Sequence, residues 1–192
     1  MISNHFNEKI LVCCFNEFDN RQENFSALVL SNLHNHNIKK IFLDVSYDNS
    51  FTLVKKAIDE NHFQTIILLG EARSYSLIKC EKYARNITSL KSDVNNNVLS
   101  TPYILKKGKY ILKSSLQYSK LIKFFKLQNL YPKISFNAGN YLCNYIFYKT
   151  LNYIKDTKLK CKVGFIHFPI LTQEQINACA SALDKYINSV LI

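Results

Sequence analysis

Short, continuously apolar runs alternate with amphipathic stretches along this chain, and that alternation is the strongest constraint on its fold. Residues 9–14 (KILVCC), 39–45 (KKIFLDV), 65–69 (TIILL) and 163–167 (VGFIH) read as strands. Helical spacing appears at 24–35 (Leu28, Leu30, Leu33), 51–60 (Leu53, Val54, Ala57, Ile58) and 74–85. It returns at 118–128, at 141–155 (Cys143, Phe147, Leu151, Ile154) and at 174–191, with a short strand at 133–136. A polar loop is expected at 95–97 and a hairpin around Gly108 within 103–113. Apolar strands separated by helices need cover on both faces. The expected architecture is α/β: a three-layer α/β/α sandwich with a mostly parallel sheet, in a single domain spanning 1–192.

Composition narrows the function classes. The chain is 47% hydrophobic and 13% aromatic, which excludes a disordered polypeptide. No apolar run reaches the roughly 20 residues that span a bilayer, so no membrane partner is expected. The opening MISNHFNEK lacks the apolar core of a secretory signal, and a cytoplasmic location is expected. The six cysteines show no CxxC spacing and no matching histidine pattern, which argues against zinc; they are expected as reduced thiols, with no metal or cofactor. The pair His34-x-His36 lacks a third ligand.

The net charge of +11 would permit nucleic-acid binding. The charge is uneven: no acidic residue lies between Asp93 and Asp156, while Lys106, Lys107, Lys109, Lys113, Lys120, Lys123 and Lys126 crowd the middle. No nucleic-acid motif accompanies these lysines, so solvated faces explain them better and nucleic acid is not the expected partner.

In sheets of this kind, ligands bind beyond the carboxyl ends of the strands. Phe15 and Phe18, Gly70-Glu71, residues 138–143 and His167 all fall at such ends. Cys143 follows the small-residue turn Ala138-Gly139 at the start of a helix, where unpaired N–H groups and the helix dipole favour a thiolate. His167 is the one histidine set in an apolar run. A thiol nucleophile and its base have this make-up, but so do a packed core cysteine and a structural histidine. Glu81, on the helix expected at 74–85, is either a solvated partner of Lys82 or Arg85 or the carboxylate that orients His167.

Several motifs occur together and in order: ILVxxFxxF at 10–18, NxS at 24–26, ExxAxN at 81–86, SxxAGxYLCN at 135–144 and GFIHxP at 164–169. In these the chain resembles the pyroglutamyl peptidases (pyrrolidone-carboxylate peptidases) along nearly its whole length. The resemblance implies a cysteine exopeptidase that removes N-terminal pyroglutamate from peptides through a thioacyl-enzyme. It implies a triad of Glu81, Cys143 and His167, with Phe15 and Phe18 enclosing the flat lactam ring. It also implies a homo-oligomer, since microbial relatives are commonly tetramers, with residues 103–112 as one available interface.

The recognition loops depart from the family pattern. GFxPF reads CFNEF, with Cys14 for glycine and Glu17 for proline. GQAGGR reads GEARSY, which puts Glu71 at the substrate-recognising glutamine and Arg73 and Ser74 at glycines. Lys91 stands for the arginine near the oxyanion, keeping its charge without the bidentate fork, and Asp44 for a proline. Two alternatives therefore stand beside an active peptidase: a divergent member with altered acyl specificity or little activity, and a non-catalytic basic binding protein on the same scaffold.

Overall fold

In the computed structural model of the chain, residues 9–17 and 23–191 are described; Phe18 lies outside them, as do residues 1–8. Eight strands and five helices follow in the order β1 (Ile10–Phe15), α1 (Phe25–Ser31), β2 (Ile38–Leu43), α2 (Tyr47–Glu60), β3 (Thr65–Glu71), β4 (Lys79–Glu81), β5 (Tyr83–Arg85), β6 (Ile111–Lys113), α3 (Tyr118–Lys126), β7 (Lys133–Ser135), α4 (Leu142–Asp156), β8 (Lys162–Phe168) and α5 (Gln173–Val190). Six strands form the main sheet in the order β2-β1-β3-β8-β4-β7. The first four run parallel; β4 is antiparallel to β8, and β7 is parallel to β4.

Side chains alternate across the sheet and feed two apolar layers. Ile10, Val12, Ile67, Leu69 and Ile166 pack with residues of α1, α3 and α5 on one face. Leu11, Cys13, Ile66, Leu68 and Phe165 pack with residues of α2 and α4 on the other. The three-layer α/β/α sandwich is as expected. Its strands are continuously apolar because both faces are covered.

The boundaries follow from capping. Asn24 accepts from the Ser26 N–H to start α1. Ser46 caps α2, which begins at Tyr47 rather than 51 because the buried Asp93 carboxylate also accepts from the Tyr47 N–H at 2.9 Å. Thr172 and Gln175 form a capping box at α5.

Two expectations are corrected. Residues 74–85 are not a helix: β4 and β5 occupy 79–85 and place Cys80 and Glu81 on a strand. Residues 103–113 do not pair with themselves. Instead β6 pairs antiparallel with β5, Tyr83 opposite Lys113, in a separate two-stranded sheet.

Candidate active site

The site is built on one row of residues across the sheet. Gly70 on β3 is in register with His167 on β8, and His167 is opposite Lys79 on β4. On the other side, the last β1·β3 pair is Cys14 with Leu69, which brings Phe15 level with Gly70. Phe15, Gly70, His167 and Lys79 face the α2/α4 layer, while Cys14 and Leu69 face the other.

Cys143 enters from above. Gly139 takes φ +82°, a backbone conformation that favours glycine, and turns the chain into α4. Cys143 lies in the first turn of that helix. The first turn contains no acidic residue, and the N-cap Tyr141 makes no side-chain capping hydrogen bond. Backbone N–H groups at this end can therefore stabilise a thiolate or an oxyanion. The thiol rests on Gly70: a Cβ there would lie 3.0 Å from Sγ of Cys143 and 2.7 Å from Cζ of Phe165. Glycine suits position 70 because the Phe165 ring, and next to it the sulfur, crowd the space a side chain would fill.

His167 is buried between aromatic rings, with Phe165 at 4.7 Å and Tyr75 edge-on at 5.7 Å. Its Nδ1 is 2.8 Å from Oε1 of Glu81, which leaves Nε2 for the Cys143 side, whose thiol acts electrostatically on the ring. Glu81 is opposite Phe165, two positions from His167 along the antiparallel pair, so it reaches the imidazole as a diagonal same-face neighbour. Glu81 is fully buried, and its Oε2 has no hydrogen-bond partner among the described residues. A carboxylate held this way favours positive charge on the adjacent imidazole. Burial alone would lower the His167 pKa, but the influence of Cys143, and then the hydrogen bond and charge of Glu81, outweigh it and push it up to about 9.

The other described thiols have a different setting. Burial pushes Cys14, Cys80, Cys161 and Cys179 up to about 12, and Cys13 well above the ordinary thiol range. Cys13, Cys14, Cys80 and Cys179 are core cysteines and Cys161 is partly buried; all five are of low nucleophilicity at neutral pH.

The remaining expected site residues are placed as follows. Phe15 is buried at the end of β1 on the Cys143 face. Glu71, one residue past Gly70, points to the opposite face, where its carboxylate accepts from the Phe25 N–H (2.8 Å) and pairs with Arg73 (2.6 Å). Lys91 is exposed, its ammonium 5.0 Å from the ring centre of Tyr141, the residue that caps α4. Among the described residues no cluster of three metal-ligating side chains occurs, and no helix is long and apolar enough to cross a membrane.

Three further residues shape the site. Asn144, buried beside Cys143, accepts from the Arg85 N–H and donates to the carbonyls of Arg85 and Ile87, fixing the start of α4 against the end of β5. The Arg85 guanidinium in turn bonds Asn137 Oδ1 and the Gly139 carbonyl in the turn before α4. Tyr75 packs on His167 and donates its hydroxyl to the Asn137 carbonyl at 3.3 Å. Asn144 belongs to the SxxAGxYLCN motif and was legible there. Tyr75 carried no sequence signal, because it stands in a loop where the family pattern is broken.

A parallel α/β sheet that sets a helix-start cysteine beside a carboxylate-held histidine defines a thiol hydrolase of the acyl-transfer type. The chain belongs to the pyroglutamyl peptidase family, whose model matches residues 8–191. It is 31% identical over 175 residues to pyrrolidone-carboxylate peptidase 2 of Caldanaerobacter subterraneus, covering 88% of this chain and 84% of that protein. Its fold is that of pyroglutamyl peptidase I from Bacillus amyloliquefaciens, with TM-score 0.84, 21% identity and 93% and 94% of the two chains covered. The pyrrolidone carboxyl peptidase of Thermococcus litoralis superposes with TM-score 0.82 at 23% identity, over 96% and 95% of the chains.

Proposed function

We propose that this chain is a cysteine exopeptidase that removes N-terminal pyroglutamate from peptides, with Cys143 as nucleophile, His167 as proton carrier and Glu81 as the group that orients His167. The observation that carries this is the 2.8 Å pair of Glu81 with His167, set in register beside the Gly70 on which the Cys143 thiol is seated.

The Cys143 thiolate attacks the pyroglutamyl carbonyl carbon, and the carbonyl π electrons move to oxygen, where N–H groups of the α4 start receive the charge. The C–N bond then breaks as the His167 imidazolium gives its proton to the departing amine. This leaves a thioacyl-enzyme and a neutral imidazole. Water, losing a proton to His167, attacks the thioester; the thiolate departs and pyroglutamate is released. Glu81 keeps Nδ1 protonated throughout, so Nε2 faces the reaction.

The acyl slot lies on the β1 side of the sulfur, where Phe15 supplies an apolar wall. Phe18, outside the described residues, is assigned to the slot from its motif alone. An apolar slot suits a neutral lactam, because an open glutamate would have to be desolvated to enter it. Glu71 does not charge this slot, since its carboxylate is held by Arg73 on the other face of the sheet. Recognition at position 71 would then fall to its backbone. Lys91, over Tyr141, supplies positive charge near the oxyanion end of α4.

The protein is further assigned as one domain working in the reducing cytosol, where Cys143 stays a thiol. A homo-oligomeric contact would use the exposed Tyr103, Tyr110 and Ile111 before and within β6. Iodoacetamide at neutral pH should alkylate Cys143 ahead of the other five thiols, and free pyroglutamate should slow the reaction. Equal labelling of several cysteines, or no protection, would contradict the assignment.

A further inference from the structure

The row that holds the catalytic groups continues past His167. Lys79 is directly opposite His167 on β4, and Lys133 on the edge strand β7 is in register with Lys79. In-register neighbours share a face, so both lysines lie on the Cys143 side of the sheet. The Lys79 ammonium is held 3.5 Å from the ring centre of Tyr75, whose other contacts are the edge of His167 and the Asn137 carbonyl. Tyr75 reaches this place because the chain turns sharply after β3, with its N–H bonded to the Ala72 carbonyl.

The chemistry fixes which part of a substrate meets these groups. The acyl group lies toward Phe15, on one side of the sulfur. The departing amine must lie at His167, on the other side, to receive its proton. The amino acid that follows pyroglutamate therefore extends over β4. Strands are about 4.8 Å apart, so Lys79 begins one strand beyond the amine, within the reach of a group two to four bonds from that nitrogen. The charge there is one-sided. Residues 94–155 contain no carboxylate, Glu81 is buried against His167, and Glu71 is on the opposite face.

We propose that Tyr75, Lys79 and Lys133 form a subsite for a carboxylate carried by the leaving amino acid. The subsite rests on the assignment of Cys143 and His167 to pyroglutamyl hydrolysis. Tyr75 holds the Lys79 ammonium in place through its ring face, and the two lysines supply the charge. The carboxylate has two sources: the side chain of an acidic residue after pyroglutamate, or the free terminus of a pyroglutamyl dipeptide.

Two substrate pairs separate these sources: pyroglutamyl-Glu-amide against pyroglutamyl-Gln-amide, and pyroglutamyl-Ala against pyroglutamyl-Ala-amide. The readout is the kcat/KM ratio of charged to neutral substrate within each pair. A ratio cancels the fraction of folded, active enzyme, so a poorly folding variant still reports. The unmodified chain should prefer the charged member of at least one pair. Lys79→Met should lower that preference about three-fold, Lys79→Glu should lower it further, and Lys79→Arg should keep it. A response in the first pair alone identifies the side chain as the ligand; a response in the second alone identifies the terminal carboxylate. Turnover with the same ratios in the unmodified chain, Lys79→Met and Lys79→Glu would overturn the subsite and leave the peptidase assignment standing. No turnover of any of the four substrates by the unmodified chain would overturn both.

Discussion

Nδ1 of His167 and Oε1 of Glu81 are 2.8 Å apart, although the residues stand 86 positions apart in the chain and are brought together by the antiparallel pairing of β4 with β8. Replacing the carboxylate by an amide keeps the shape and removes the charge that fixes the imidazole. Glu81→Gln should lower kcat by about 10²–10⁴-fold while the far-UV spectrum and cooperative unfolding are retained. Unchanged turnover would remove Glu81 from the site.

The protonation of His167 sets a pH signature. Its folded value, about 9, lies above its ordinary value of 6.5. A group shifted upward stabilises the fold fully below its unfolded pKa, and that stabilisation is lost as pH rises through the folded pKa. Urea unfolding of the wild type, compared with His167→Asn, should therefore show an advantage that declines between about pH 6.5 and pH 9. By the same titration, kcat/KM should fall above about pH 9, where the imidazolium loses the proton it gives to the amine. In Cys143→Ala the strongest raising influence is gone, so an NMR titration should find His167 lower than in the wild type. An unmoved titration would contradict a Cys143–His167 ion pair.

Gly70 is read as the seat of the thiol. A Cβ there would stand 3.0 Å from the sulfur and 2.7 Å from the Phe165 ring, so one of them must move. Displacing a nucleophile by a fraction of an ångström is costly, and Gly70→Ala should reduce kcat/KM by roughly 10²-fold. The drop should exceed any change in thermal stability. Full activity in Gly70→Ala would mean that the sulfur does not react from this position.

Asn144 makes three hydrogen bonds to the backbone of residues 85–87 while fully buried. Asn144→Ala leaves those groups without partners and should cost about 2–4 kcal/mol in urea unfolding. Asn144→Asp is informative too, since it keeps the acceptor for the Arg85 N–H but loses both donors. A loss below about 0.5 kcal/mol in the alanine variant would show that the α4 start is held by other contacts.

Much of this was legible in the sequence because it rests on patterns that local physics fixes. The β1, β3 and β8 runs are apolar throughout since helices cover both faces. Cys143 was placed correctly because a small-residue turn followed by helical spacing marks a helix start. Glu81 was harder. Its spacing to Arg85 imitates an ion pair on a helix surface, and β4 and β5 are only three residues each, separated by Lys82 alone. A buried charged residue on a strand looks like an exposed one until its partner, here His167, is brought beside it. The role of Glu71 also needed the structure, since only strand alternation turns its carboxylate toward Arg73 and away from the thiol.

The central claim is that Cys143 cleaves the bond after an N-terminal pyroglutamate. The most direct test is hydrolysis of a chromogenic pyroglutamyl amide by the wild type and by Cys143→Ser, side by side. The account predicts steady turnover by the wild type and a loss of at least about 10³-fold in the serine variant. An inactive wild type, or a serine variant that retains turnover, would contradict it.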